Sequence, residues 1–179
     1  MRPLRSFGRS CRTEGLRAVR YLTLAVACLV TLAWVSAASA LIVPQHSIAG
    51  IELNMTRPEV KDKKGDPDRI VHGTNDFGPY TQFIYKNAVG KLMATFQGNA
   101  GATAVWTNRK TQKTAEGVHV GSPESALHDA YPRLHCRTES SDFRHCWTGR
   151  FRAGHRVTDY RIGIATGTVK SVTVAFVID

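Results

Sequence analysis

Dense cysteine, low-complexity tracts and familiar catalytic motifs are all missing from this sequence of 179 residues. Its 15 glycines, 7 prolines and 4 cysteines are ordinary numbers for the length, so collagen-like, low-complexity and disulfide-dense classes are excluded. There is no G-x-S-x-G elbow, H-E-x-x-H pair, P-loop or G-x-G-x-x-G turn. The 42% hydrophobic and 21% charged residues that are present are typical of a folded domain.

The first 40 residues have the three parts of a secretory signal peptide. An apolar run over 21–35 follows an arginine-rich head, and Ala38-Ser39-Ala40 has the A-x-A form that signal peptidase accepts. We expect cleavage near Ala40 and a secreted or extracytoplasmic protein, with membrane contact only through this segment. An uncleaved anchor is one rival, although the apolar run falls short of the roughly 20 residues that span a bilayer. A lipoprotein acylated at Cys28 is the other.

Removal of the signal peptide halves the net charge and leaves a chain the size of one domain. The segment carries six arginines and one glutamate, so the formal net charge falls from +10 to +5. The remaining 139 of the 179 residues are enough to bury a core without metals or several disulfides. Nucleic acid is a poor partner for an exported chain, and none is expected.

Cys136 and Cys146 are the two cysteines of the predicted mature chain. In an oxidising compartment an even pair is most simply a disulfide. The turn-like Ser140-Ser141-Asp142 lies between them, so the bridge is expected to join the two strands of a hairpin. The chain-entropy relation gives such a loop about 2.7 kcal/mol of stabilisation.

His135 and His145 each precede a cysteine, which raises the question of a Cys2His2 metal site. Neighbouring side chains on a strand point to opposite faces, so the sulfurs and these imidazoles cannot converge while both segments stay extended. We therefore predict no metal site and no cofactor.

The chain contains an internal repeat. Residues 50–60 align without gaps with residues 117–127, sharing a glycine, alternating aliphatic residues and a helix start. Thr56 and Glu59 form a capping box in the first copy, and Ser122 is the expected cap in the second. The domain boundaries that follow are a signal peptide over 1–40, an N-terminal extension over 41–46, and repeats over 47–113 and 114–179.

Each short helix precedes a region of alternating apolar and polar residues. Gly65-Asp66-Pro67 and Pro132 end the helices. The predicted fold is therefore α+β, with two tandem repeats that each pack a short helical segment on about four antiparallel strands. The predicted strands are 69–73, 80–86, 91–97, 102–107, 134–138, 143–148, 156–164 and 168–178.

Strand alternation also assigns a binding surface to the sheet face away from the helices. With Val105, Val172 and inward-pointing cysteines on the helix side, large side chains fall on the opposite face. An alternative register buries Phe143, His145 and Trp147 instead and turns Cys146 outward. The predicted binding residues are Trp106, Trp147, Met93, His145 and Arg161.

A cluster of arginines between residues 144 and 161 suggests a basic surface. This patch, with Arg144, Arg150, Arg152 and Arg156, favours an anionic envelope polymer or lipid headgroup as an alternative partner. The other interpretation is that these arginines are simply solvent-exposed residues of hairpins, with no partner.

A hydrolase is the least favoured of the functions considered, and Asp142 and Asp159 would be its paired carboxylates. The predicted function is non-catalytic binding, most simply of another protein.

The first repeat resembles the unit of the beta-lactamase-inhibitor-protein-like superfamily and the related SmpA/OmlA outer-membrane lipoproteins. That unit has a glycine, a G-M-[ST] helix entry, an E-[VA] pair and a G-x-P exit, and here Asn54 replaces its second glycine. The second copy keeps Gly121-Ser122, has Ala126 in place of the glutamate and exits through Pro132. The resemblance implies a two-repeat fold and an inhibitor-like or envelope-associated role. No inhibitory residue transfers, so beta-lactamase inhibition is not predicted. The matching positions are Gly50, Asn54-Met55-Thr56, Glu59-Val60 and Gly65-Asp66-Pro67, then Gly117 and Gly121-Ser122.

Overall fold

The computed structural model describes residues 41–178, and the predicted signal peptide, 1–40, lies outside the described residues. Three two-residue strands come first, and a short helix followed by four longer strands then occurs twice. In the described part of the chain, neither helix is long and apolar enough to cross a membrane. The elements are β1 (Ile42–Val43), β2 (Ser47–Ile48), β3 (Ile51–Glu52), α1 (Arg57–Lys64), β4 (Arg69–Asn75), β5 (Gly78–Asn87), β6 (Gly90–Gln97), β7 (Ala102–Thr107), α2 (Glu124–Ala130), β8 (His135–Thr138), β9 (Phe143–Gly149), β10 (Arg156–Gly163) and β11 (Thr168–Phe176).

The eight longer strands form one antiparallel sheet in the order β4-β5-β6-β7-β11-β10-β9-β8. Each set of four strands is a meander, and the two meanders join where β7 pairs with β11. Trp106 faces Thr173 across this junction. The sheet, two helices and a smaller three-stranded sheet make the fold α+β, as the alternating pattern predicts.

The two helices begin differently, although their sequences align. Glu59 Oε2 accepts the Thr56 N–H at 2.7 Å and closes the predicted capping box of α1. The prediction that Ser122 caps α2 is wrong, because Pro123 is the residue at the N-cap. Ser122 Oγ instead accepts the backbone N–H of His119 at 3.0 Å, so it stabilises the preceding turn.

Residues 41–52 belong to the fold, where the sequence suggests only an extension over 41–46. They form the small sheet β1-β2-β3, and Ile42, Ile48 and Ile51 are fully buried. Gln45 donates its backbone N–H to Thr158 Oγ1 on β10 at 2.6 Å. This segment therefore ties the first half of the chain to the second.

The hydrophobic core lies between one face of the large sheet and the layer that contains both helices and the small sheet. Val60 of α1 and Leu127 of α2 are fully buried at equivalent positions, as their alignment predicts. Ile164 and Ile178 are exposed, because they lie beyond the ends of β10 and β11. Large side chains of the sheet that are less than 2% exposed are Leu92, Phe96, Val105, Tyr160, Ile162, Val169, Val172 and Val174.

Strand alternation sets which side chains face the core. Cys146 is fully buried on the helix side of β9, and its neighbours His145 and Trp147 are partly exposed on the other side. The register that buries Trp147 and turns Cys146 outward is therefore not the one adopted. We call the surface away from the helices the open face.

Candidate functional site

One row of directly paired residues crosses the open face from edge to edge, with one residue from each of the eight strands. Partners in an antiparallel ladder point to the same face, so the side chains of the row share one surface. The predicted residues Met93, Trp106 and Trp147 all belong to it. In spatial order the row is Arg69, Ile84, Met93, Trp106, Thr173, Asp159, Trp147 and His135.

The first meander contributes a recess of about 240 Å³ on this face, which we call the basic recess. No carboxylate within residues 41–178 forms an ion pair with any of its three cations. Cations that surround an apolar floor favour a negatively charged partner with a large apolar side chain. The recess is lined by Ile84, Met93, Trp106, Arg69, Lys86 and Lys91.

The second meander contributes a recess of about 330 Å³, which we call the aromatic recess. Trp147 lines it, with its ring centroid 5.4 Å from that of Phe151 and 5.8 Å from that of His135. Arg161 places its guanidinium carbon 3.6 Å from the centroid of the Phe143 ring. The recess is lined by Arg137, Glu139, Phe143, His145, Trp147, Phe151 and Asp159.

A histidine and a carboxylate are paired at the base of the aromatic recess. His145 Nδ1 lies 2.8 Å from Asp159 Oδ2, and their side chains are 32% and 21% exposed. Burial raises the pKa of Asp159 above its ordinary value of 3.8, and the hydrogen bond from His145 and the charge of Arg161 oppose that rise. Glu139, which Arg137 binds from the edge strand, adds to the rise.

This raised pKa makes stability depend on pH in a defined direction. The folded protein binds a proton at Asp159 more tightly than the unfolded chain, so this group contributes most stability in acid. The contribution is lost as the pH rises from 3.8 through the raised pKa. We expect Asp159→Asn to become progressively more stable relative to wild type over that window, in urea unfolding at a series of pH values. A constant difference across the series would contradict the assignment.

A shallow groove of about 450 Å³ continues from the aromatic recess toward the first meander. Phe77, from the β4–β5 turn, and Phe151, from the loop after β9, both line it. They are 46% and 61% exposed. Sequence reasoning missed both, because strand alternation says nothing about side chains in turns.

The predicted binding residues thus lie on one face but in two places. Trp106 and Met93 line the basic recess, and Trp147 and His145 line the aromatic recess. Arg161 stacks on the edge of the aromatic recess through Phe143.

The four arginines of the predicted basic patch and the nearby Arg161 do not share one surface. Arg144 lies on the helix side of β9, where it donates to Glu124 Oε1 at 2.7 Å, and Arg161 lies on the open face. Arg156 lies against the Phe176 ring with its guanidinium carbon 5.2 Å away. Arg150 and Arg152 are exposed in the loop between β9 and β10.

The two carboxylates of the hydrolase interpretation, Asp142 and Asp159, do not line the same recess. Asp159 is paired with His145, and Asp142 is exposed in the turn between β8 and β9, outside the lining of the aromatic recess.

The predicted disulfide is present between Cys136 and Cys146. The two residues face each other across β8 and β9, with Cα atoms 4.0 Å apart. The bond fastens β8, a four-residue strand at the edge of the described sheet, to the adjacent strand β9.

Reduction of this bond is expected to lower the free energy of unfolding by about 2.7 kcal/mol, because the unfolded chain regains the freedom of the closed loop. Urea unfolding of the oxidised protein, the reduced protein and the Cys136→Ser, Cys146→Ser double variant measures it. Equal stability of the oxidised and reduced forms would show that the bond adds nothing to the fold.

Comparison with known proteins yields little for this chain. No protein-family model matches it, and no curated protein matches it. Among solved structures it is similar to a cysteine-rich secretory protein from Staphylococcus aureus subsp. aureus Mu50, with 9% identity and a TM-score of 0.47. The match covers 69% of this chain and 43% of that protein.

Proposed function

We propose that this chain is an exported, non-catalytic binding protein that uses the open face to bind an acidic surface of another protein. The single observation that carries the proposal is the row of eight paired residues, which presents Met93, Trp106 and Trp147 on a sheet face that no described element covers. Large aromatic side chains and arginine are the residues that most often anchor protein interfaces.

The charge of the open face supports an acidic partner. The basic recess contributes three cations that form no ion pair within residues 41–178, and Arg161 is a further cation on the same face. The two carboxylates of the aromatic recess are already engaged, Asp159 by His145 and Glu139 by Arg137. A negatively charged partner would be attracted by the basic recess, and the paired carboxylates of the aromatic recess would not repel it with equal strength.

An anionic envelope polymer or lipid headgroup is the alternative partner. Arg150 and Arg152 support it, since both are exposed in one loop. The dispersal of Arg144, Arg156 and Arg161 over different surfaces argues against it, because a polyanion is bound best by a continuous stripe of charge.

Export and duplication belong to the same proposal. The disulfide supports an oxidising compartment, and the leader predicts cleavage near Ala40. Two tandem repeats, over 47–113 and 114–179, are supported by the helix and four-stranded meander that occur in each half.

Intact-mass analysis of the secreted chain tests export, with Met1 to Ala40 expected to be absent. A secreted chain that begins at Met1, or a lipid-modified one that begins at Cys28, would contradict the cleavage prediction.

The binding proposal is tested by capture from the envelope fraction of the source cells, with wild type and four variants as bait. Lys91→Glu in the basic recess is expected to lose the partner, and Ile70→Ala, exposed on the helix side of β4, is expected to keep it. Capture that survives Lys91→Glu and Trp106→Ala but fails with Arg150→Glu would favour the polyanion alternative.

A further inference from the structure

A second cluster of chemically active side chains lies on the helix side of the sheet, away from the open face. Glu124 and His128 are four residues apart on α2, and Cys136 and Cys146 lie on the adjoining strands β8 and β9. Ligand atoms of Glu124, His128 and Cys136 all lie within 4.8 Å of one another. Cys146 Sγ lies 3.9 Å from Glu124 Oε1.

The structure assigns a thiol-dependent metal site to these four side chains, which binds a borderline-soft divalent cation such as Zn²⁺ once the disulfide is reduced. Two thiolates, an imidazole and a carboxylate are ligand types that Zn²⁺ accepts in fourfold coordination. In the oxidised protein the sulfurs are bonded to each other, so the site is closed to the metal.

The chemistry of opening is a thiol–disulfide exchange. A dithiol reductant supplies two electrons, its own sulfurs become a disulfide, and Cys136 and Cys146 become thiols. Metal binding then releases one proton from each thiol. The site exchanges one cross-link between β8 and β9 for another, because the ion holds both strands and also binds α2.

Arg144 fits the charge of such a site. Two thiolates and one carboxylate exceed the charge of a divalent cation by one negative charge, and the Arg144 guanidinium lies 2.7 Å from Glu124 Oε1. A carboxylate has lone pairs for both a hydrogen bond and a metal. Arg144 therefore acts as a positioning residue for Glu124.

The site differs from the Cys2His2 arrangement that the sequence analysis considers and rejects, and it is an inference against the prediction of no metal site. His135 and His145, the immediate neighbours of the cysteines, lie with Trp147 and Arg161 on the open face. His128 lies on the cysteine side and comes from a helix, which adjacency in sequence does not reveal. His135 therefore serves as a matched control for His128.

The test is a Co²⁺ titration of the mature chain, reduced with a phosphine and followed by thiolate-to-cobalt absorption. We expect one equivalent of Co²⁺ bound by the reduced protein, displacement by Zn²⁺, and no such absorption in the oxidised protein. Loss of a residue that hydrogen-bonds to a metal ligand weakens metal binding by about 10- to 100-fold. His128→Ala and Glu124→Gln remove ligands themselves, so each is expected to weaken Co²⁺ binding by at least that much. His135→Ala is expected to bind as wild type does.

An unfolded reduced chain would give a different pattern. His135 adjoins Cys136 in sequence, so in a disordered peptide it is the more available ligand. Weaker binding by His135→Ala with unchanged binding by His128→Ala would overturn the proposal, as would the absence of thiolate-to-cobalt absorption in the reduced wild type. Circular dichroism of the reduced protein before and after Zn²⁺ addition records whether the fold is present in each titration.

Discussion

Replacing Trp106 and Trp147 with alanine is expected to abolish most partner binding while the protein stays folded. Each side chain lies on the open face and is partly exposed, so its truncation leaves no closed cavity. A central aromatic anchor contributes about 2 kcal/mol or more to binding, which corresponds to roughly a 30-fold loss of affinity for each. The cost in unfolding free energy is expected to stay near 1 kcal/mol.

Partner affinity and the free energy of unfolding, measured on the same variants, distinguish an interface role of the two tryptophans from a core role. A tryptophan in a core would cost about 3 to 5 kcal/mol on truncation and would lower the melting temperature sharply. Variants that unfold, or that bind the partner as tightly as wild type, would contradict the assignment of the open face. Ile70→Ala, an equally simple truncation of a side chain that is 44% exposed on the helix side, is expected to change neither quantity.

Replacing Ile42 with alanine is expected to lower the free energy of unfolding by about 2 to 5 kcal/mol. Ile42 is fully buried in the core, in a segment that the sequence analysis assigns to an N-terminal extension. Its neighbour Val43 is 39% exposed, so Val43→Ala is the matched control and is expected to cost about 0.5 kcal/mol or less.

Urea unfolding of the two variants decides between the two views of residues 41–46. If Ile42→Ala and Val43→Ala are equally mild, this segment is an extension and contributes little to the core. A large cost confined to Ile42→Ala means that the fold begins close to the predicted cleavage point.

Local patterns carry much of this fold. The capping box at Thr56 and Glu59 predicts the start of α1, and alternation predicts the ends of each of the eight long strands to within two residues. The same alternation assigns Trp106 and Trp147 to one face and Cys146 to the other, because side chains on a strand have a period of two.

Features that depend on contacts between residues far apart in the sequence could not be predicted from local patterns. Strands β1 to β3 have two residues each, too few to show a period, and they are ordered by contacts such as that of Gln45 with Thr158. The pairing of β7 with β11, which joins the two meanders into one sheet, has no marker in either strand. Arg144 is bound by Glu124 from α2, so an arginine count over one stretch of sequence overstates the basic surface.

The most direct test of the binding surface is oxidative footprinting of the protein alone and in complex with the captured partner. Tryptophan and methionine react readily, so Trp106, Trp147 and Met93 report on the two recesses of the open face. His72, exposed on the helix side of β4, reports on the opposite surface. We predict strong protection of Trp106, Met93 and Trp147 in the complex and unchanged oxidation of His72. Protection of His72 with unchanged oxidation of the two tryptophans would place the partner on the helix side of the sheet and would contradict the proposed binding surface.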